Sequence, residues 1–137
     1  MSDMNDFNAQ IISEFRSNDG KVGGPFEGAT VLLLTTKGAR SGLERVNPVV
    51  ARTEGDDVYV FASKAGAPTN PDWFHNLVAN PEVTVEVGTD TYRARAEVLD
   101  QAERDRVYEA QAADFANFAE YQAATDRVIP VVRLQRV

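Results

Sequence analysis

The 137-residue sequence predicts an α+β fold, a small six-stranded antiparallel β-barrel with flanking helices. Two pairs of apolar segments are each joined by a short Gly-bearing link, the pattern of antiparallel hairpins. One of these pairs alternates apolar and polar residues along its length, as a sheet with one wet face does. Beyond the N-terminal helix, helical patterns are inserted late among the strands.

Taken in order, Phe7, Ile11 and Phe15 recur at four-residue spacing and predict a short amphipathic helix over residues 4–17, a lid on the core. Its polar residues include Asp6 and Glu14, so peripheral membrane contact, which wants a Lys/Arg-rich face, is not supported by charge. Residues 18–28, NDGKVGGPFEG, read as a Gly-rich connector without P-loop spacing. The apolar run 29–36, ATVLLLTT, has the length of a buried strand starting near Ala29. VNPVVART and DVYVFAS form the first hairpin across Glu54-Gly55-Asp56. VTVEV and TYRARAEVL form the second across Gly88-Thr89-Asp90. There Val83, Val85, Val87, Tyr92, Ala94, Ala96 and Val98 share one face, and Arg93 and Arg95 sit on the other as cross-strand partners of acids. Asp100 followed by Glu103 starts a helix through ERDRVYEAQAADF in capping-box fashion. The last strand, RVIPVVRLQ, contains Pro130, which places it at an edge or a bulge.

Length and a hydrophobic content of 43% fit one domain over 1–137, with residues 1–25 as N-terminal helix and connector. With no cysteine and a single histidine, disulfides, thiolate nucleophiles, iron–sulfur clusters and a catalytic metal held by two or three imidazoles are excluded, and no metal site is expected. The first fifteen residues carry acids and no long apolar run, so a cytoplasmic protein is the default expectation. A formal charge of −7 argues against nucleic acid as a partner. That charge is uneven, because Lys37, Arg40, Arg45 and Arg52 face only Glu44 between residues 31 and 53. An acidic chain with a basic island suggests a small anionic ligand.

The island centres on TKGARSGLER, residues 36–45. Gly38 and Gly42 let the backbone turn and expose amides, Ser41 offers a hydroxyl, and Arg40 and Arg45 can make forked bonds to phosphate or carboxylate. Alone, this loop would read as a solvated hairpin. In an antiparallel barrel, however, loops at one end converge, and the turn SKAG could bring Lys64 to the same pocket. Ala65, Gly66 and Ala67 would admit a flat ring or a phosphate close to the main chain. Asn70 would cap a helix starting at Pro71 and containing Trp73, whose free amides also favour an anion. GARSG lacks the G-x-S-x-G order, and His75 reads as a helix surface or packing residue rather than a base. Hard chemistry would therefore come from an organic cofactor.

The series TKGARSGLERVNP, GDDVYVFASKAGAPTNPDWFHNLVANPEVTVEV and YQAATDRVIPVVRL resembles the deazaflavin-dependent nitroreductase family, coenzyme F420-dependent quinone reductases with a split β-barrel fold. The likeness covers about residues 26–135. It implies that the phosphate and acidic tail of the deazaflavin lie against Arg40, Ser41, Gly42 and Arg45, with Lys37 nearby. Ser63 and Lys64 would meet the cofactor, and the following helix would add Asn70, Pro71, Trp73 and Asn76. Tyr121 matches one of the aromatic hydroxyls of the family's substrate pocket. Phe118 and Ala124 stand where the nitroimidazole-activating relative has a tyrosine and a tryptophan, so activation of nitro drugs does not follow.

The reading is therefore an oxidoreductase in which reduced F420 passes hydride to an electron-poor small-molecule acceptor such as a quinone, with Tyr121 as the catalytic hydroxyl. An FMN-dependent oxidoreductase on the same barrel and a non-catalytic deazaflavin or lipid carrier are the alternatives. Neither the acceptor nor the oligomeric state is specified by the sequence.

Overall fold

A computed structural model of the protein describes residues 3–22 and 30–137, with side chains from residue 8 onward. The expected strand start at Ala29, the connector from Gly23 to Gly28 and the side chain of Phe7 lie outside the described residues. Along the chain come α1 (Asp3–Ser17), β1 (Thr30–Lys37), β2 (Glu44–Glu54), β3 (Asp57–Phe61), a 3-10 turn (Lys64–Gly66) and α2 (Asp72–Ala79). They are followed by β4 (Glu82–Val87), β5 (Asp90–Val98), α3 (Gln101–Asp114), α4 (Ala116–Ala123) and β6 (Val131–Arg136). The six strands close into an antiparallel barrel in the order β1-β2-β3-β6-β5-β4.

Both expected hairpins form. Glu54 pairs with Asp57 and Val87 with Asp90, so each link is two residues long, and it opens with a glycine in the left-handed region, Gly55 at φ +62° and Gly88 at φ +58°. That conformation matches the right-handed twist of the flanking strands and is open to glycine without strain. The alternation of the second hairpin also holds: Val83, Val85 and Ala94 are buried inside the barrel. Arg93 Nη2 on the wet face reaches Glu82 Oε1 at 3.0 Å. Val98, although in the same phase, is 46% exposed because it ends its strand at the rim.

Two apolar clusters carry the core. The first fills the barrel with Leu32, Leu34, Val60, Val132 and Leu134 and is plugged by Trp73 and Leu77 of α2. The second packs α3 and α4 against the outer face of β3 and β6 through Tyr59, Phe61, Val107, Tyr108, Phe118 and Val131. Phe118 meets Phe61 and Tyr108 edge to face, with ring centres 5.2 and 6.1 Å apart. Ile11 and Phe15 of α1 are buried, as a lid on the core requires. Arg16 makes a double hydrogen bond to Glu86, at 3.2 and 2.8 Å.

Three expectations need correction. The helix begun by Asp100, whose side chain accepts from the Glu103 amide at 3.0 Å, does not run through Phe115. It breaks there, where Phe115 is extended (φ −135°, ψ 98°), and a separate α4 follows, which turns the Phe118 ring into the second cluster. Pro130 marks neither an edge nor a bulge: the barrel has no free edge, β6 begins one residue later, and the Pro130 carbonyl accepts from Ala62 N at 3.0 Å. Asn70 makes no capping hydrogen bond to α2, whose N-terminal flanking residue is Pro71.

Tyr108 is buried, its hydroxyl donates to the Phe118 carbonyl at 2.6 Å, and burial pushes its pKa up to about 12 against the partial opposition of Arg104 and Arg127. A phenol whose pKa is higher in the folded chain than in the unfolded one stabilises fully below about pH 10 and loses that contribution as pH climbs toward 12. Urea midpoints measured from pH 8 to 11 should fall more steeply above pH 10 for the wild type than for Tyr108→Phe; parallel curves would contradict this.

Candidate functional site

Because neighbouring strands alternate in direction, the end of β1, the start of β2, the end of β3 and the start of β6 share one end of the barrel. The loop from Gly38 to Leu43 is closed by Gly38 N to Leu43 O at 2.8 Å and Gly42 N to Gly38 O at 3.0 Å. Ser41 Oγ accepts from Leu43 N at 3.1 Å, so that oxygen already braces the loop. Gly42 is left-handed at φ +70°. Lys37, Arg40 and Arg45 are exposed, and among the described residues none of them makes an ion pair.

Helix α2 is tied to this loop through Asn76. Its Oδ1 accepts from Ala39 N at 3.0 Å, and its Nδ2 donates to Thr36 Oγ1 at 3.2 Å. Asn80 Nδ2 adds a bond to the Lys37 carbonyl at 3.3 Å. Asn76 therefore acts as a strut between helix and loop. Trp73 and Pro71 are buried, and Trp73 belongs to the barrel core. His75 is exposed, with the Phe74 ring centre 6.0 Å from its own.

The turn after β3 has an uncommon backbone. Ser63 is right-handed helical, while Lys64, Ala65 and Gly66 follow at φ +46°, +53° and +81°. Left-handed conformation costs a residue bearing a Cβ about 1–2 kcal/mol, so Lys64 and Ala65 hold it only because their surroundings impose it. A right-handed residue followed by a left-handed one points successive N–H groups into a common concavity, an anion nest. Gly66 N and Ala67 N close the turn on Ser63 O and Lys64 O, at 2.9 and 3.0 Å. Among the described residues the amides of Ser63, Lys64 and Ala65 have no hydrogen-bond partner. Lys64 Nζ donates to Thr69 Oγ1 at 3.2 Å and carries no carboxylate partner among them.

Gly66 is small for a reason internal to the protein. It is buried, and a Cβ there would lie 2.8 Å from the Tyr121 carbonyl oxygen and 3.0 Å from Ala124 Cβ. Its smallness thus serves packing against α4 rather than an approaching ligand, for which the exposed Ala65 is better placed. Tyr121 thereby adjoins the turn through its main chain. Its ring is half-buried against Phe118 at 5.4 Å, and its hydroxyl accepts from Asn117 Nδ2 at 3.0 Å.

Sequence reasoning missed Arg127. Its guanidinium donates from Nε to Ala67 O at 2.8 Å, from Nη1 to Ala62 O at 3.0 Å and Asn70 Oδ1 at 2.8 Å, and from Nη2 to Ser63 O at 2.8 Å. All four acceptors are neutral, and burial holds its pKa below the ordinary arginine value. This is also why Asn70 does not cap α2. A lone arginine just before the apolar run Val128-Ile129-Pro130-Val131 was the available signal, since a cation on the approach to a core strand needs partners.

The family model for F420H(2)-dependent quinone reductase matches residues 9–136. The chain belongs to the F420H(2)-dependent quinone reductase family. It is 36% identical over 126 residues to the F420H(2)-dependent quinone reductase Rv1261c of Mycobacterium tuberculosis, covering 89% of this chain and 85% of that one. Among solved structures, the F420-H2 dependent reductase FDR-A is 36% identical and superposes with a TM-score of 0.71 over 77% of this chain and 94% of its own. A chain solved as a domain-swapped dimer is 31% identical, with a TM-score of 0.73 over 96% of this chain and 98% of its own. The protein is thus an oxidoreductase with a split-barrel fold whose cofactor is coenzyme F420. No helix of the described residues is long and apolar enough to cross a membrane.

In this reductase, Gly66→Ala would combine left-handed strain with a clash against the Tyr121 main chain. A loss of about 2–4 kcal/mol of folding stability is expected, from strain plus overpacking. Chemical denaturation measures it, and an unchanged midpoint would show that α4 yields freely.

Proposed function

We propose that the barrel end described above holds F420 and that the acceptor of its hydride is a quinone or a similarly electron-poor small molecule. The observation that carries this reading is the pairing of an N–H nest at Ser63, Lys64 and Ala65 with four cations, Lys37, Arg40, Arg45 and Lys64, that lack carboxylate partners among the described residues. Such a donor set fits an elongated polyanion, and F420 carries a phosphate and an acidic tail.

When bound, the reduced deazaflavin supplies the hydride; the chain supplies position and charge. Arg40 and Arg45 grip the anionic tail by forked bonds, with Lys37, Ser41 and the Gly42 main chain beside them. Asn76 keeps that loop in register with α2, and Pro71 and Trp73 anchor the helix in the barrel. Ser63, Lys64 and Ala65 receive the nearer anionic or carbonyl part of the cofactor, at a turn whose shape depends on Gly66 and Asn70. Tyr121, whose main chain packs against Gly66 of that turn, would offer its hydroxyl to negative charge growing on an acceptor oxygen.

Arg45→Ala or Lys64→Ala should raise the dissociation constant for oxidised F420, read by its fluorescence, by about 10- to 100-fold, the worth of a charged hydrogen bond. The same titrations should weaken as ionic strength approaches physiological, where the Debye length is about 8 Å. Tyr121→Phe should leave the F420 constant unchanged and slow hydride transfer to menadione by about one to two powers of ten. Stopped-flow traces settle this: equal rates take Tyr121 out of the reaction, and wild type unable to reduce any quinone would make the protein a carrier. Tighter binding of FMN than of F420 would overturn the cofactor assignment to this surface.

A further inference from the structure

We infer that Arg127 is a positioning residue for the cofactor: from behind the turn, it aims the N–H groups of Ser63 and Lys64 toward the ligand. The inference rests on the proposed F420 site. Arg127 donates to the carbonyl oxygens of Ala62 and Ser63 at 3.0 and 2.8 Å. In a trans peptide the N–H of the next residue points opposite to the carbonyl of the same plane. With both carbonyls drawn to the guanidinium, the N–H groups of Ser63 and Lys64 face away from it, and among the described residues neither has a partner there.

Further bonds to Ala67 O and Asn70 Oδ1, each at 2.8 Å, hold the far side of the turn to the same planar fork. Four oxygens around one rigid plane are the kind of over-determination that lets Lys64 and Ala65 stay left-handed. Arg127 is itself fixed from α4: Gln122 Nε2 donates to its carbonyl at 2.7 Å, while Gln122 Oε1 accepts from Ile129 N at 3.1 Å and from the Arg104 guanidinium. Its charge meets no carboxylate among the described residues, so it adds to the positive potential behind the nest instead of being cancelled. A lysine would keep that charge but could not hold four oxygens in one plane.

The test uses the full chain as wild type, Arg127→Lys and Arg127→Ala, with two readouts. In cofactor-free protein, hydrogen exchange at the Gly66 and Ala67 amides, which close the turn, should accelerate about tenfold or more in Arg127→Ala while amides of the barrel strands stay protected. With oxidised F420, the dissociation constant should rise about tenfold or more in both variants while KM for menadione stays within about twofold, and millimolar guanidinium ion should restore binding to Arg127→Ala. Wild-type exchange at Gly66 and Ala67 together with a wild-type F420 constant in either folded variant overturns the inference. If Arg127→Ala does not fold, Arg127→Lys decides alone: a wild-type constant refutes the need for a fork, and a raised one supports it. If the wild type itself fails to bind F420, the cofactor site and this role toward it fall together, and faster exchange in Arg127→Ala would then support only the clamp on the turn.

Discussion

Closure of the barrel decides where everything else can go. Once β4 pairs with β1, from Leu33 opposite Glu86 to Thr35 opposite Thr84, every strand has two neighbours and the ladder is spent on itself. Strand direction then dictates that the loop after β1, the turn after β3 and the approach to β6 emerge together. Segments distant in sequence become one surface without any of them having to be long. The helices fill what remains: α2 plugs the open interior with Trp73 and Leu77, and α3 and α4 cover the outer face of β3 and β6.

Charge is sorted by the same geometry. Arg16, Arg52, Arg93, Arg104, Arg106, Arg133 and Arg136 each meet a carboxylate, most of them along strand faces or between a strand and a helix. Exposed pairs of this kind contribute little to stability, about 0–1 kcal/mol each, yet they use up acids that would otherwise spread their field over the surface. The cations at the loop end have no such partners among the described residues. An acidic protein thereby keeps a local positive field, and a polyanionic cofactor finds it without first displacing a resident carboxylate.

Much of this was legible in the sequence because its signals are local. Gly55 and Gly88 announce short hairpin links, alternation from Val83 to Ala94 announces a half-wet sheet, and Asp100 with Glu103 announces a helix start. The illegible parts are contacts between segments far apart in sequence. Nothing next to Gly66 says that Tyr121 will press on it, and nothing next to Asn70 says that Arg127 will take its oxygen before a helix amide can. The break at Phe115 is of the same type, since a sequence able to continue as helix gives way to the burial of Phe118. Pro130 misled for a related reason: proline is unwelcome inside a ladder, and here the ladder starts just after it.

The contact between α1 and the far end of the barrel sets an order of assembly. Gly20 lies so close to Gly88 that a Cβ on it would come within 2.5 Å of the Gly88 Cα, and Arg16 grips Glu86, seventy positions along the chain. Neither landing point exists until the second hairpin has turned and β4 has joined β1. The seat of α1 is thus completed only by strands far along the chain, and Ile11 and Phe15 reach their full burial once those strands are in place. A chain stalled before β4 would leave part of that apolar stripe uncovered, which makes α1 a segment in need of shelter during synthesis.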